Sequence, residues 1–293
     1  MRTPCDPQTS ASSPGRRIAA VAAAVIGLLA GPAAIPAAAE DDGPLDYVAF
    51  GDSYTAGIGA PNFGFSPLYP PGQCAQAAPG YVDVLDQRAD VQLAANAACA
   101  GWTAAMVPIQ VETAYAVGPL NAGTDLVTIT AGANDVNFIN ALLACLTDTE
   151  ENCRTAVNAA ESVATAVVPA VLAQAYGAIQ AKAPNATIAA LGYPHLFAPE
   201  FAGGALVENI EIFNAGTDTL NKVIRNAARS SGAVFVDVTD DFAGHGIGSE
   251  DPWINFNPAD PVFGTNFHPT AEGYEKGYAA AVVEEVEIAE LVS

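Results

Sequence analysis

Ser53, Asn134 and His268 are the residues whose types and surroundings could together carry out acyl transfer. Ser53 stands in Gly51-Asp52-Ser53-Tyr54, directly after the apolar run 47–50. A strand ending abruptly in Gly-Asp-Ser delivers its hydroxyl to the C-terminal edge of a sheet, where open α/β sheets bind ligands. A serine hydroxyl is a weak nucleophile until a base takes its proton; by itself this serine would better suit the N-cap of a helix. Asn134, in Gly132-Ala133-Asn134-Asp135, follows the β-branched run 125–130. Its amide can donate to a developing oxyanion, although an isolated asparagine there also suits a turn. Gly101 lies in Ala98-Cys99-Ala100-Gly101-Trp102-Thr103; it offers a backbone N–H to the same oxygen, and its missing Cβ allows close approach. His268, in Phe267-His268-Pro269-Thr270, is the expected general base, because an imidazole titrating near pH ~6.5 can accept a hydroxyl proton at neutrality. The other two histidines compete for that role. His195 also follows a strand end and is expected in a pocket wall; His245 is expected in a solvated loop. The expected chemistry is ester hydrolysis, with the Ser53 and Gly101 N–H groups and the Asn134 amide as oxyanion donors. No serine sits in G-x-S-x-G, so the scaffold is not the one built around that nucleophile elbow.

The elements that must position these groups alternate along the chain. Strands are expected at 47–50, 91–93, 125–130, 187–191 and 233–237. Helices are expected at 80–89, 156–183, 210–230 and 270–291, the last capped by Thr270. Residues 63–79, rich in Pro, Gly and aromatics, read as a long loop, and the aromatics at 63–69 as a possible wall of an acyl groove. Such alternation predicts a parallel five-stranded sheet with helices on both faces.

Composition narrows the partners. Ten Lys+Arg stand against 32 Asp+Glu, a net charge of −22. Phosphate backbones require a basic surface, so nucleic acid is not an expected partner. Arg16-Arg17, the apolar run 18–30 and Ala37-Ala38-Ala39 form a secretory signal pattern, with cleavage expected after Ala39. That leaves 40–293 as one secreted domain, with no stable membrane insertion. Cys74, Cys99, Cys145 and Cys153 then form an even set in an oxidising compartment; proximity favours Cys74–Cys99 and Cys145–Cys153. A zinc site lacks a C-x-x-C pair, and only three histidines are present. With no phosphate-cradling loop or cofactor fingerprint, no cofactor is expected.

Taken together, the blocks at Gly51-Asp52-Ser53-Tyr54, Gly101, Gly132-x-Asn134-Asp135 and His268-Pro269 resemble the SGNH (GDSL-type) hydrolase family. The segments around Asn96, Asp251-Pro252-Trp253-Ile254-Asn255 and His268 are similar to its secreted actinobacterial esterases and lipases. The resemblance implies a flavodoxin-like three-layer α/β/α fold and hydrolysis of small-molecule or lipid esters through an acyl-enzyme. Family members usually place Asp three residues before the histidine; here that position is Thr265. The backbone carbonyl of Thr265 is therefore expected to orient His268, with the Asp260 carboxylate as the alternative. A carbohydrate deacetylase and an inactive binding scaffold are the competing functions.

Overall fold

The computed structural model describes residues 43–201, 207–259 and 264–291; the expected signal segment and Asp260 lie outside the described residues. The strands are β1 (Leu45–Gly51), β2 (Asn62–Phe65), β3 (Ala75–Ala78), β4 (Val91–Asn96), β5 (Leu126–Thr130), β6 (Thr187–Leu191) and β7 (Val234–Val236). Five of them form one sheet in the order β4-β1-β5-β6-β7, with every pairing parallel. This is the flavodoxin-like order, in which the chain reverses its direction of growth beside β1. Strand β5 is buried at all five positions. Its apolar and β-branched run, with no solvent-facing side, is the mark of a strand covered on both sides.

The helices are α1 (Tyr81–Asp86), α2 (Val107–Ala116), α3 (Phe138–Thr147), α4 (Glu150–Ala166), α5 (Val168–Lys182), α6 (Val207–Ser230), α7 (Ala280–Glu285) and α8 (Ile288–Leu291), with a π-helical stretch, Gly273–Ala279, leading into α7. That stretch packs on α1, while α2, α5 and α6 pack in sequence as neighbours. The architecture is the expected α/β class.

The structure departs from the expected elements in four places. The helix expected at 156–183 is two helices, α4 and α5, bent by 46°. Pro169 in the first turn of α5 lacks the N–H a continuous helix requires, and its ring clashes with the carbonyl four residues back. The loop expected at 63–79 contains the antiparallel hairpin β2–β3. Helices α2 and α3 lie in segments with no expected element. The last helix is not uniformly α-helical, although the Thr270 hydroxyl caps its start by accepting the Gly273 N–H at 3.1 Å.

Candidate active site

The end of β1 is clamped before the chain turns. Gly51 pairs with Thr130 across the sheet, and its φ of +123° would place a Cβ 2.1 Å from the Thr130 carbonyl oxygen. Only glycine fits that approach. The buried Gln110 of α2 holds both backbone groups of Gly51: its Oε1 accepts the N–H at 2.8 Å, and its Nε2 donates to the carbonyl at 2.7 Å. Ser53 follows in a tight turn closed by the Ala56 N–H on the Asp52 carbonyl and the Ile58 N–H on the Ser53 carbonyl. Its side chain is not a helix cap. The Ser53 hydroxyl instead lies 2.8 Å from Nε2 of His268.

His268 reaches this position on a loop pinned from several sides. Asn255 Nδ2 donates to the carbonyls of Gly59, His268 and Pro269, and the Asn255 N–H donates to the His268 carbonyl at 2.8 Å. Tyr54, the residue after Ser53, donates its hydroxyl to the Phe267 carbonyl at 2.7 Å, and its ring lies 5.3 Å from the imidazole. The Nδ1 atom of His268 sits 2.9 Å from the Asn266 carbonyl. A carbonyl can only accept, so Nδ1 carries the hydrogen and Nε2 is left as an acceptor facing the Ser53 hydroxyl. This corrects the expected orienter by one residue: the Thr265 carbonyl takes the His268 backbone N–H at 3.3 Å. Burial lowers the imidazole from 6.5 to about 4, opposed first by the Asn266 carbonyl and then by that of Thr265. Part of the residue still faces solvent, so water screening tempers that shift.

The loops that carry Gly101 and Asn134 are tied to this turn. The Cys99 N–H donates to the Gly51 carbonyl at 3.1 Å, and Cys99 is bonded to Cys74. Gly101 has φ +77°, with nothing within 4 Å of where a Cβ would be. Its glycine therefore serves the left-handed turn, not relief of crowding within the protein. Asn134 Nδ2 donates one hydrogen to the Trp102 carbonyl at 2.9 Å, placing its amide beside the Gly101 turn. Among the described residues, neither the Ser53 nor the Gly101 N–H donates to a protein acceptor. The second disulfide, Cys145–Cys153, joins α3 to α4.

Asp52 is a residue whose role sequence reasoning missed. It is buried and precedes Ser53 in the chain. Its carboxylate accepts from the Tyr193 hydroxyl at 2.6 Å, the Thr130 hydroxyl at 2.8 Å and the Tyr54 N–H at 3.0 Å. Tyr193 in turn accepts the Ala133 N–H at 3.3 Å, next to Asn134. The carboxylate thus links the nucleophile turn to the Asn134 loop. Burial raises Asp52 to about 6, with the Tyr193 and Thr130 hydroxyls opposing the rise.

The other histidines are placed elsewhere. His195 Nε2 pairs with Asp218 of α6 at 2.7 Å. His245 lies in a loop with its side chain partly exposed, its ring stacked on Trp253 with centroids 3.6 Å apart and Nδ1 bonded to the Asp251 carbonyl. A pocket of about 60 Å³ opens between α3, α4 and α6. Tyr54, Ala133, Val136, Phe138, Leu196 and Phe213 contribute to its lining; Tyr54 and Ala133 adjoin Ser53 and Asn134 in the chain.

Comparison with known proteins identifies the family and the fold. The pattern of the GDSL-like Lipase/Acylhydrolase family matches residues 49–276. A lipase of Streptomyces rimosus is 34% identical over 235 residues, spanning 80% of this chain and 84% of that protein. Lipase 1 of Streptomyces coelicolor is 32% identical over 89% of this chain and 92% of its own. The crystal structure of the extracellular S. rimosus lipase superimposes with a TM-score of 0.72 at 32% identity, covering 82% of this chain and 99% of that one. Phospholipase A1 of Streptomyces albidoflavus superimposes with a TM-score of 0.71 at 31% identity, covering 82% and 98%. The chain therefore belongs to the GDSL-like lipase/acylhydrolase family and is a carboxylic ester hydrolase.

Proposed function

We propose that this ester hydrolase is a secreted lipase-type carboxylesterase that works through an acyl-enzyme on Ser53. The observation that carries the reading is the 2.8 Å approach of Ser53 Oγ to an imidazole nitrogen left free to accept. His268 takes the serine proton as Oγ bonds to the ester carbonyl carbon. The N–H groups of Ser53 and Gly101 and the amide of Asn134 hold the resulting oxyanion. Collapse expels the alcohol, which receives the proton from His268. Water then attacks the acyl-serine by the same route, releasing the acid and restoring Ser53. The two disulfides support an oxidising destination, with residues 1–39 as export signal and 40–293 as the mature domain. No single helix among the described residues is long and apolar enough to cross a membrane.

The apolar pocket beside Tyr54 and Ala133 supports an acyl chain longer than acetyl. On p-nitrophenyl acetate, butyrate and octanoate, kcat/KM should rise by about fourfold per methylene that enters the pocket. A preference for acetate with longer chains rejected would favour the deacetylase. A fluorophosphonate should label Ser53 and no other serine; an unlabelled protein would favour the inactive scaffold.

The pH profile follows from His268. The neutral imidazole is the base, so protonation removes activity, and lowering its pKa extends the active range toward acid. The acid limb of kcat/KM, which reports the free enzyme, should fall with one proton at an apparent pKa between about 4 and 6.5. A limb above neutrality would contradict the burial of this ring.

A further inference from the structure

We propose that the outer face of the β2–β3 hairpin docks the enzyme onto a neutral or zwitterionic lipid surface beside the active site, an inference that rests on the ester-hydrolase reading. Phe63 and Phe65 are 67% and 51% exposed. They are two residues apart on one strand and so share a face, and their rings meet edge to face at 5.4 Å. Their cross-strand partners are Ala77 and Ala75, which are too small to cover them. The aromatics expected to line an acyl groove therefore begin with two that point into solvent.

The hairpin is held as a rigid platform. Its other face is stapled to the oxyanion loop by Cys74–Cys99 and by Gln76 Nε2, which donates to the Asn96 and Ala98 carbonyls. The Ala100 N–H donates to the Ala75 carbonyl, next to Gly101, and the Ala77 N–H donates to the Ala56 carbonyl in the nucleophile turn. Tyr69, on the connection between the two strands, donates to the Ala97 carbonyl and packs its ring against Trp102. The exposed phenyl rings are thus fixed relative to both halves of the site.

Charge selects the kind of surface. No Asp, Glu, Lys or Arg lies between Asp52 and Asp83, in a chain of net charge −22. A charge-free face loses no ion hydration on contact, whereas the remainder of the protein repels an anionic bilayer. The occupant that fits is an uncharged or zwitterionic ester-lipid aggregate.

The experiment compares the Phe63→Ser/Phe65→Ser double variant with the parent protein. In the Ser53→Ala background, which does not consume the lipid, sedimentation with phosphatidylcholine vesicles should retain the protein, and the double substitution should weaken retention by at least ~10-fold. Retention on phosphatidylglycerol vesicles should be weaker than on phosphatidylcholine. With Ser53 present, the double variant should hydrolyse dissolved p-nitrophenyl acetate as the parent does, but emulsified tributyrin at least ~10-fold more slowly. Equal vesicle retention with and without the phenyl rings overturns the proposal. So does a parallel loss on both substrates, which would make the rings part of local packing, or a dimer that the double substitution splits without any vesicle binding. Vesicle binding by a protein inert toward both esters would leave docking intact and reject the hydrolase reading instead.

Discussion

Ser53→Ala is expected to lower kcat on p-nitrophenyl butyrate by at least ~10⁴-fold while leaving the fold intact. Among the described residues the Oγ atom makes one hydrogen bond, to Nε2 of His268, and the turn around it is held by backbone bonds that the substitution does not touch. Stability should change by no more than ~1 kcal/mol, read from denaturant unfolding. The oxyanion donors survive, so a small residual rate over the uncatalysed reaction should persist. Adding His268→Ala should cost little more, because serine and histidine act as one unit and their losses do not add. A Ser53→Ala protein that keeps a tenth of the parent's rate would remove Ser53 from the mechanism.

The fold was legible wherever local pattern and tertiary role coincide. Strands β1, β5, β6 and β7 stand out as short apolar or β-branched runs because they are largely buried, whereas the edge strand β4 alternates with exposed positions. The β2–β3 hairpin was hidden for the opposite reason. Asn62-Phe63-Gly64-Phe65 and Ala75-Gln76-Ala77-Ala78 have weak strand propensity; their pairing is supported by Cys99, Asn96 and Ala98, which lie far along the chain. The break between α4 and α5 could have been read from Pro169, which the alanine-rich composition around it obscured.

The same distinction governs the site. Ser53, Gly101, Asn134 and His268 sit in short blocks, and the structure brings them to one end of the sheet. Asp52 was visible within the first block, but its partners are 78 and 141 residues away, so its function as the buried joint between two loops had no local signature. A carboxylate inside an apolar strand end was the available hint, since a buried charge requires dedicated donors. The histidine orienter was misplaced by one residue because the choice between the Thr265 and Asn266 carbonyls depends on the left-handed backbone at Phe267, φ +64°. A carbonyl in that role fixes the tautomer but stabilises an imidazolium less than a carboxylate does. Burial lowers the pKa of this histidine, and the carbonyls only partly oppose it.

Asn134→Ala is the second large effect, with kcat expected to fall by about 10²–10³-fold and KM to change little. The amide has two hydrogens. One is committed to the Trp102 carbonyl at 2.9 Å, and the proposed mechanism assigns the other to the oxyanion, which exists only after the carbonyl carbon becomes tetrahedral. An interaction made only in the transition state lowers kcat and kcat/KM together when it is removed. The Trp102 bond gives the substitution a structural cost as well, about 1 kcal/mol of stability. Asn134→Asp tests the need for a donor at this position. A carboxylate preserves the shape of the side chain but cannot donate to either oxygen, and its charge opposes the oxyanion directly. Its kcat should therefore lie below that of Asn134→Ala, although alanine removes more of the side chain. If aspartate proved the more active of the two, the Asn134 amide would not be an oxyanion donor, and the third donor would have to come from elsewhere.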